Sequence, residues 1–299
     1  MSNIKQEELS DDIIIWPKSL VTEIAERRCI IFIGSGVSAG CKNSIGEQPK
    51  DWDSFLRAGI YRLGDRDAKE FALKLCDEYK YLDAAQILND YINSGDFDEF
   101  IQEELNPMDP FQPSDVYKII QELDAKIVVT TNYDVIYEKL CMQGQASAAY
   151  NVLKYYESNI LNDIRSRKRL IIKAHGCISN ADKIILTRGQ YFDARDKHYS
   201  FYNILDALFL TNTILFIGCG LNDPDINLIL ENSNIAAKCS RSHYALMDAR
   251  NHESIKKSMK STYNLQILEY PKGRHDLLDE ILTSLLEQVL LHREQSGMQ

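Results

Sequence analysis

The sequence predicts an α/β fold, in which a Rossmann-like parallel sheet of about six strands is flanked by helices and carries a helical insertion module. Short, uninterrupted apolar runs are typical of strands that are buried on both faces of a parallel sheet. Helical patterns, with apolar residues three and four positions apart, alternate with these runs. A glycine-rich turn, Gly34-Ser35-Gly36, comes directly after the first run.

The N-terminal segment, residues 1–12, is polar and acidic. It is predicted to be disordered, and it lacks the apolar stretch of a signal peptide. Pro17 suits the first turn of a helix, because no backbone N–H is needed there. This helix is predicted to lead into the first strand and to bury Leu20, Val21, Ile24 and Ala25.

The first strand, Ile30 to Ile33, is followed at once by the loop GSGVSAG. Glycines allow close approach to a ligand, and N–H groups at a helix start suit a phosphate. The spacing fits the G-x-G-x-x-G/A dinucleotide fingerprint, although a turn that only redirects the chain can have the same letters. An ordinary Rossmann unit needs a second strand next, and none is evident. The loop is therefore predicted to bind a dinucleotide without hydride transfer.

The helical insertion is predicted over about residues 51–110. Residues 51–105 read as all-helical, and 106–115 form a proline-containing loop back to the sheet. Packing accounts for the pattern, and a helical cap over a cofactor is the functional alternative. A smaller insertion is predicted at about 181–211. The larger insertion has an apolar stripe that predicts an amphipathic helix or a helical hairpin, formed by Ala68, Phe71, Ala72, Leu75, Tyr79, Leu82, Ala85 and Leu88.

Polar residues follow the second and third predicted strands. KIVVT, residues 126–130, ends in Thr131-Asn132-Tyr133-Asp134, and LIIKA, residues 170–174, ends in His175-Gly176. Ligands in open parallel sheets bind beyond the carboxyl ends of strands, so these side chains face a predicted site. An Asx turn that caps the helix 135–141 is the alternative for Asn132 and Asp134. A histidine at a strand end can be a general base, although a lone histidine is more often structural.

A second glycine loop follows the fourth strand, residues 213–217. It reads GCGLNDPD, and a helix is predicted near Ile226. Cys219 is interpreted as a small residue and not as a nucleophile. The fifth strand, residues 244–247, ends in Asp248, which could hydrogen-bond a ribose hydroxyl. A short sixth strand at 265–268, placed at an edge, and a final helix at 276–291 complete the prediction.

The composition excludes several classes of function. The 299 residues carry a net charge of −10, which argues against a general nucleic-acid or anionic-membrane binder. No apolar run approaches the ~20 residues of a membrane span. The seven cysteines are scattered, and no two have C-x-x-C spacing. Neither a metal site nor a disulfide framework is predicted, and reduced thiols in a cytoplasmic protein are expected.

Taken together, the motifs resemble those of the sirtuin family. Sirtuins carry G-A-G-x-S, T-Q-N-x-D, a catalytic H-G pair and a later glycine loop. This chain has GSGVS at 34–38, TNYD at 131–134, His175-Gly176 and GCGLNDPDI from Gly218. Order and rough spacing agree over about residues 20–250, apart from the helical insertion. The resemblance implies a single sirtuin-like domain over 1–299.

Two departures from the family pattern narrow the resemblance to one branch. Sirtuin deacylases have a zinc module with two C-x-x-C pairs, and this sequence has no such pair. They also have a G-I-P-D-F-R segment after the glycine loop, where this sequence reads CKNSIGEQPKDW. The chain is more similar to bacterial sirtuin-like proteins that hydrolyse NAD, many of them in anti-phage defence. That similarity implies an NAD glycohydrolase that releases nicotinamide and ADP-ribose. It also implies a homo-oligomer, a protein partner that acts as sensor, and no direct contact with nucleic acid or membrane. A protein deacylase and a non-catalytic NAD- or ADP-ribose-binding module are the alternatives.

The resemblance also implies roles for individual residues. Asn132 would hold the nicotinamide ribose and the attacking water, and His175 would be the base. Asp134 would orient the loop or contact the ribose. The phosphates would lie at the first glycine loop, and the adenosine half near the second. The remaining cofactor-binding positions are Gly34, Ser35, Gly36, Ser38, Thr131, Gly218, Gly220, Asp223 and Asp248.

Overall fold

The computed structural model describes residues 14–143, 150–238 and 241–298. The predicted disordered segment, residues 1–12, lies outside these ranges. Within them, no helix has both the length and the apolar character needed to cross a membrane.

A seven-stranded, all-parallel sheet forms the centre of the fold, and helices flank it. The prediction of a parallel α/β fold is therefore confirmed. The strand order is β3-β4-β2-β1-β5-β6-β7. The strands are β1 (Cys29–Ile33), β2 (Ile127–Thr130), β3 (Tyr150–Lys154), β4 (Arg169–Lys173), β5 (Thr213–Ile217), β6 (His243–Asp248) and β7 (Leu265–Tyr270).

Burial explains which strands the sequence reveals. Every residue of β1, β2 and β5 is buried, and their segments are the uninterrupted apolar runs. The strand that the sequence did not predict is β3, with the sequence YNVLK, in which only Leu153 is buried. It lies at one edge of the sheet, where exposed polar residues are tolerated, so no apolar run marks it. The opposite edge is β7, as predicted.

The helices follow the predicted alternation with strands. Pro17 is the N-cap of the first helix, which buries Leu20, Val21, Ile24 and Ala25 as expected. The helix predicted near Ile226 begins at Pro224. The α-helices are α1 (Lys18–Ala25), α2 (Ser35–Ser38), α3 (Trp52–Tyr61), α4 (Arg66–Asp77), α5 (Tyr81–Tyr91), α6 (Ser94–Leu105), α7 (Asp115–Glu122), α8 (Ile136–Cys141), α9 (Ile160–Arg165), α10 (Arg188–Lys197), α11 (Tyr199–Thr211), α12 (Pro224–Ala236), α13 (Glu253–Tyr263) and α14 (Leu278–Gln295).

The described residues group into two compact units. The first unit contains residues 14–33, 115–128 and those from 205 onward, and the second contains those of 34–114 and 129–204. In the first unit, Arg293 of α14 is buried. Its guanidinium donates to the carbonyl oxygens of Ile24, Ala25 and Leu123 at 3.2, 3.0 and 2.9 Å, just where α1 and α7 end. A cation is favourable there, because helix C-termini carry unpaired carbonyl groups.

In the second unit, helices α3 to α6 confirm that residues 51–105 are helical. Asp51, Asp65 and Asn93 accept N-cap hydrogen bonds from the first turns of α3, α4 and α6. These side chains satisfy backbone N–H groups that a helix start leaves unpaired. The buried core that these helices share includes Phe55, Leu56, Ala72, Ala85, Leu88, Phe100 and Ile101.

Two residues of the predicted apolar stripe are not buried. Phe71 is 54% exposed and Tyr79 is 79% exposed, so this part of the prediction is wrong. Tyr79 has a φ of +58° in the turn between α4 and α5. The helical period is interrupted at this turn, and a single stripe therefore cannot continue through it.

Candidate functional site

The second unit brings the ends of β2 and β4 together. The backbone N–H of Ala174 donates to the carbonyl oxygen of Thr130 at 2.9 Å. Asn132 lies two residues beyond that contact on one segment, and His175 lies one residue beyond it on the other. The sequence predicts that both residues lie at the same edge, since parallel strands end there, and the strand order places β4 next to β2.

Asn132 is joined to the first glycine loop. Its Nδ2 donates to the carbonyl oxygen of Gly34 at 3.1 Å and to Oγ of Ser38 at 3.0 Å. The side chain is buried, with 8% exposure. Because these two bonds use both amide hydrogens, Oδ1 is the atom with which Asn132 would accept a bond from a hydroxyl or a water.

Asp134 combines the two roles that the sequence left open. Its Oδ1 accepts from the backbone N–H of Ile136 at 3.0 Å, which caps the start of α8. Its Oδ2 accepts from Oγ of Ser38 at 2.8 Å. The carboxylate therefore closes a chain of hydrogen bonds from the TNYD turn to the glycine loop.

The N-terminus of α2 belongs to the same region. Ser35 and Gly36 are exposed there, whereas Gly34, Val37 and Ser38 are buried. The first N–H groups of a helix have no acceptor inside the helix. A phosphate could accept hydrogen bonds from them. The Ser38 hydroxyl takes part in the hydrogen bonds with Asn132 and Asp134.

His175 is buried beside Tyr191 of α10. Its Nδ1 lies 3.5 Å from Oη of Tyr191, and the two rings are nearly perpendicular with centroids 5.1 Å apart. Its carbonyl oxygen accepts from the backbone N–H of Ile185 at 3.0 Å. The Tyr191 hydroxyl is thus placed at the limit of hydrogen-bond distance from Nδ1, and which of the two atoms donates depends on the tautomer of the ring.

Gly176 can be no other residue without strain. Its φ is +87°, and a Cβ built there would lie 2.2 Å from the carbonyl oxygen of Lys183. The left-handed conformation and the close backbone approach both require glycine. The backbone conformation therefore explains why the residue after His175 is a glycine.

A buried ion pair that sequence reasoning missed lies beside the TNYD turn. Lys173 of β4 has no exposed surface, and Glu138 of α8 is 6% exposed. Lys173 Nζ donates to Oε1 of Glu138 and to the carbonyl oxygen of Asp134. The sequence feature that could have revealed this ion pair is the lysine inside the otherwise apolar run LIIKA.

The charges of this pair support each other. Burial raises the pKa of Glu138, and the ammonium of Lys173 opposes that rise. Burial is the largest influence on the pKa of Lys173 and would lower it, but Glu138, Cys177 and Asp134 together outweigh burial and the pKa is raised. Lys173 is therefore held as the charged donor to both oxygens.

The other predicted site residues belong to the first unit, except Thr131, which is half-buried after β2. Asp223 caps α12, because its Oδ1 accepts from the backbone N–H groups of Asp225 and Ile226 at 3.0 Å. Asp248 accepts from Arg250 Nη2 at 2.7 Å and from the Gly273 N–H at 3.2 Å. The Arg250 guanidinium lowers the pKa of this carboxyl.

The second glycine loop has no activated thiol. Gly218 has a φ of +66° and Gly220 is exposed. Burial raises the pKa of the Cys219 thiol, and its Sγ approaches the carbonyl oxygens of Phe32 and Ile217 at 3.7 and 3.5 Å. A thiol with a raised pKa is a poor nucleophile, which agrees with the interpretation from sequence.

The chemistry of the second unit's site is that of positioning and proton transfer. Asn132 provides a fixed hydrogen-bond acceptor, and His175 provides an imidazole. The start of α2 provides the backbone N–H groups of the exposed residues Ser35 and Gly36. Among the residues that the structure describes, no cluster of three or more His, Cys, Asp or Glu side chains could hold a metal. The candidate catalytic groups are the Asn132 amide and the His175 imidazole.

Comparison with known proteins finds one matching family and several relatives. The family described as SIR2-like domain matches residues 126–268. The chain is 26% identical over 254 residues to NAD(+) hydrolase ThsA of Acinetobacter baumannii, covering 82% of this chain and 48% of that protein. It is 25% identical over 231 residues to NAD(+) hydrolase ThsA of Bacillus cereus, covering 77% and 45%.

A third relative carries a defence name. Defense-associated sirtuin 2 of Bacillus subtilis is 24% identical over 229 residues, covering 74% of this chain and 21% of that protein. The chain thus spans half or less of the length of these relatives. The matches agree with the resemblance drawn from the motifs: residues 126–268 match the family described as SIR2-like domain, and the chain is similar to bacterial proteins named for NAD hydrolysis and for defence.

Proposed function

We propose that this chain is an NAD glycohydrolase that cleaves the nicotinamide–ribose bond to give nicotinamide and ADP-ribose. One observation carries the proposal. The amide of Asn132 is fixed by Gly34 and Ser38, so that its Oδ1 can accept from a ribose hydroxyl or from a water. The relatives named NAD(+) hydrolase support the same substrate.

The proposed reaction passes through an oxocarbenium-like ribose centre, as glycoside cleavage does. The bond between the ribose carbon and the nicotinamide nitrogen breaks, and its electron pair leaves on nicotinamide. Nicotinamide departs as a neutral pyridine, so no acid has to protonate it. Water adds to the ribose carbon, and His175 accepts the released proton, either from the water or from a ribose hydroxyl.

The remaining roles are proposed as follows. The N–H groups of Ser35 and Gly36 donate hydrogen bonds to the diphosphate at the start of α2. Asp134 holds Ser38, and Thr131 borders the ribose. The adenosine half is assigned to Gly218, Gly220, Asp223 and Asp248 of the first unit. Because Asp223 and Asp248 already hold backbone groups of their own unit, they would shape this part of the site more than bind by charge.

The biological role that we propose is depletion of cellular NAD in anti-phage defence, in a cytoplasmic homo-oligomer. The name of the Bacillus subtilis relative supports a defence role. An enzyme that destroys a central metabolite must be restrained, so a protein partner that senses infection is part of the proposal. The proposed organisation is one sirtuin-like domain over 1–299, with insertions at about 51–110 and 181–211.

Mass spectrometry of the purified chain with NAD, with and without an acetylated peptide, tests the proposed activity. Nicotinamide and ADP-ribose in equal amounts without peptide are expected. Cleavage that requires the peptide and yields acyl-ADP-ribose would instead assign a deacylase. Binding of ADP-ribose with no cleavage, in the chain alone and with its co-purified partners, would assign a binding module.

A further inference from the structure

Lys173 occupies a position where lysine is costly. It lies on β4 next to Ile172, both residues have no exposed surface, and His175 follows two positions later. A buried ammonium is tolerated only when its donors are satisfied. Such a residue needs a reason beyond packing, since an apolar side chain would fill the same space.

The partners of Lys173 supply that reason. Its Nζ joins three segments at one atom: β4, the TNYD turn through the carbonyl oxygen of Asp134, and α8 through Glu138. The carbonyl oxygen of Lys173 accepts from the backbone N–H of Tyr155 at 3.1 Å, which anchors the strand on its other side.

A continuous path leads from this atom to the candidate catalytic amide. Lys173 holds the backbone of Asp134, the Asp134 carboxylate accepts from Ser38 at 2.8 Å, and Ser38 accepts from Asn132 at 3.0 Å. His175 follows the same strand, two residues after Lys173. The position of the acceptor Oδ1 relative to the imidazole therefore depends on one buried cross-link.

Stability is a weak explanation for the pair. Replacing a buried ion pair by apolar residues of similar volume is often neutral or stabilising, whereas breaking it by removing one partner is destabilising. Apolar residues cannot, however, donate to the Asp134 carbonyl. We propose that Lys173 and Glu138 are positioning residues that hold the TNYD turn, and with it Asn132, in the geometry for reaction. This inference rests on the proposed NAD glycohydrolase function.

The central variant is the double replacement Lys173→Met/Glu138→Leu, which removes both charges together. It is expected to melt within a few degrees of the unmodified chain and to bind ADP-ribose with similar affinity. The kcat for NAD is expected to fall on the order of 10²-fold with little change in KM, because misplaced catalytic groups lose orientation without losing ligand contacts. A folded double variant with unchanged kcat overturns the proposal.

A second pair of variants covers the case in which the double variant does not fold. Glu138→Gln keeps an oxygen that accepts from Lys173, and Lys173→Met/Glu138→Gln removes the donor to the Asp134 carbonyl without leaving an unpaired charge. The expected result is that Glu138→Gln retains most of kcat and Lys173→Met/Glu138→Gln loses it. Equal kcat in these two folded variants would contradict positioning. Lys197→Met, which removes an exposed ion pair with Asp193 on α10, is the control and should change neither kcat nor melting.

Amide hydrogen exchange separates this inference from the proposed function. In Lys173→Met/Glu138→Leu, or in Lys173→Met/Glu138→Gln where the first double variant does not fold, exchange is expected to rise about tenfold at residues 131–136 and to stay unchanged elsewhere. If the unmodified chain leaves NAD intact but this local change occurs, the proposed function fails, although Lys173 and Glu138 do hold the TNYD turn. If NAD is cleaved and residues 131–136 keep their protection, the positioning role is overturned while the enzyme remains.

Discussion

Nδ2 of Asn132 donates to the carbonyl oxygen of Gly34, a residue 98 positions earlier in the chain, at 3.1 Å. The bond fixes the orientation of the amide, because a carbonyl oxygen can only accept. It also means that Asn132 supports the glycine loop as well as presenting Oδ1.

Replacement of Asn132 tests both roles. Asn132→Ala is expected to lower kcat for NAD on the order of 10²-fold or more, since a positioned acceptor for water and ribose is lost. Ser38→Ala removes one acceptor of the amide but leaves the bond to Gly34, so a smaller loss is expected. Steady-state kinetics with thermal melts provide the measurement. Wild-type kcat in a folded Asn132→Ala variant would remove Asn132 from the mechanism.

Tyr191 is expected to orient His175. Tyr191→Phe keeps the ring against the imidazole and removes only Oη, which lies 3.5 Å from Nδ1. A loss of kcat of up to about tenfold is expected at unchanged ADP-ribose affinity, while His175→Ala nearly abolishes turnover. Tyr199→Phe alters an exposed tyrosine on the next helix and is the matched control. If both tyrosine variants give the same rate, the Tyr191 hydroxyl has no orienting role.

Gly176→Ala should be strongly destabilising. The new Cβ would meet the Lys183 carbonyl oxygen at 2.2 Å in addition to the strain of a φ of +87°. Gly46 has the same φ of +87° but open space around a Cβ, so Gly46→Ala isolates the backbone contribution. Urea denaturation is expected to show a loss of about 1 kcal/mol for Gly46→Ala and at least about 2 kcal/mol more for Gly176→Ala. Similar losses would show that the 183–185 segment moves aside.

His243 predicts a pH dependence of stability. Burial, helped by the charge of Lys260, lowers the pKa of this histidine to about 4, and Nδ1 accepts from the backbone N–H of Ile214 at 3.2 Å. In the unfolded chain the same histidine titrates near its ordinary pKa of about 6.5. Below that pH the unfolded state binds more protons than the folded state, and the free energy of unfolding therefore falls. Neutral His243 makes its full contribution to the free energy of unfolding above about pH 6.5. About 3 kcal/mol of this contribution is lost as the pH falls towards 4.

Unfolding free energies between pH 7 and pH 4 measure this effect against His243→Asn. Asparagine places a non-titrating acceptor near the position of Nδ1. The slope of stability with pH should be smaller in the variant over this range. Parallel curves for the two proteins would assign the acid sensitivity to other groups.

The sequence by itself determined the buried strands and the polar residues at their ends. Runs such as CIIFI and TILFI admit few other environments, because a strand covered on both faces must be apolar throughout. Asn132 and His175 stand where these patterns stop, so their neighbourhood follows from the rule that parallel strands share an edge. The edge strand β3 and the exposed Tyr79 were missed, since partial burial leaves no such pattern.

Only the tertiary structure decided which side chains are partners. Nothing local marks Glu138 as the counter-ion of Lys173, Tyr191 as the neighbour of His175, or Gly34 as the acceptor for Asn132. Each bond joins residues 16 to 98 positions apart and depends on strand order and on the placement of α2, α8 and α10. Apolar periodicity encodes which face of an element is buried, whereas the direction of a hydrogen bond is specified only once the elements have packed.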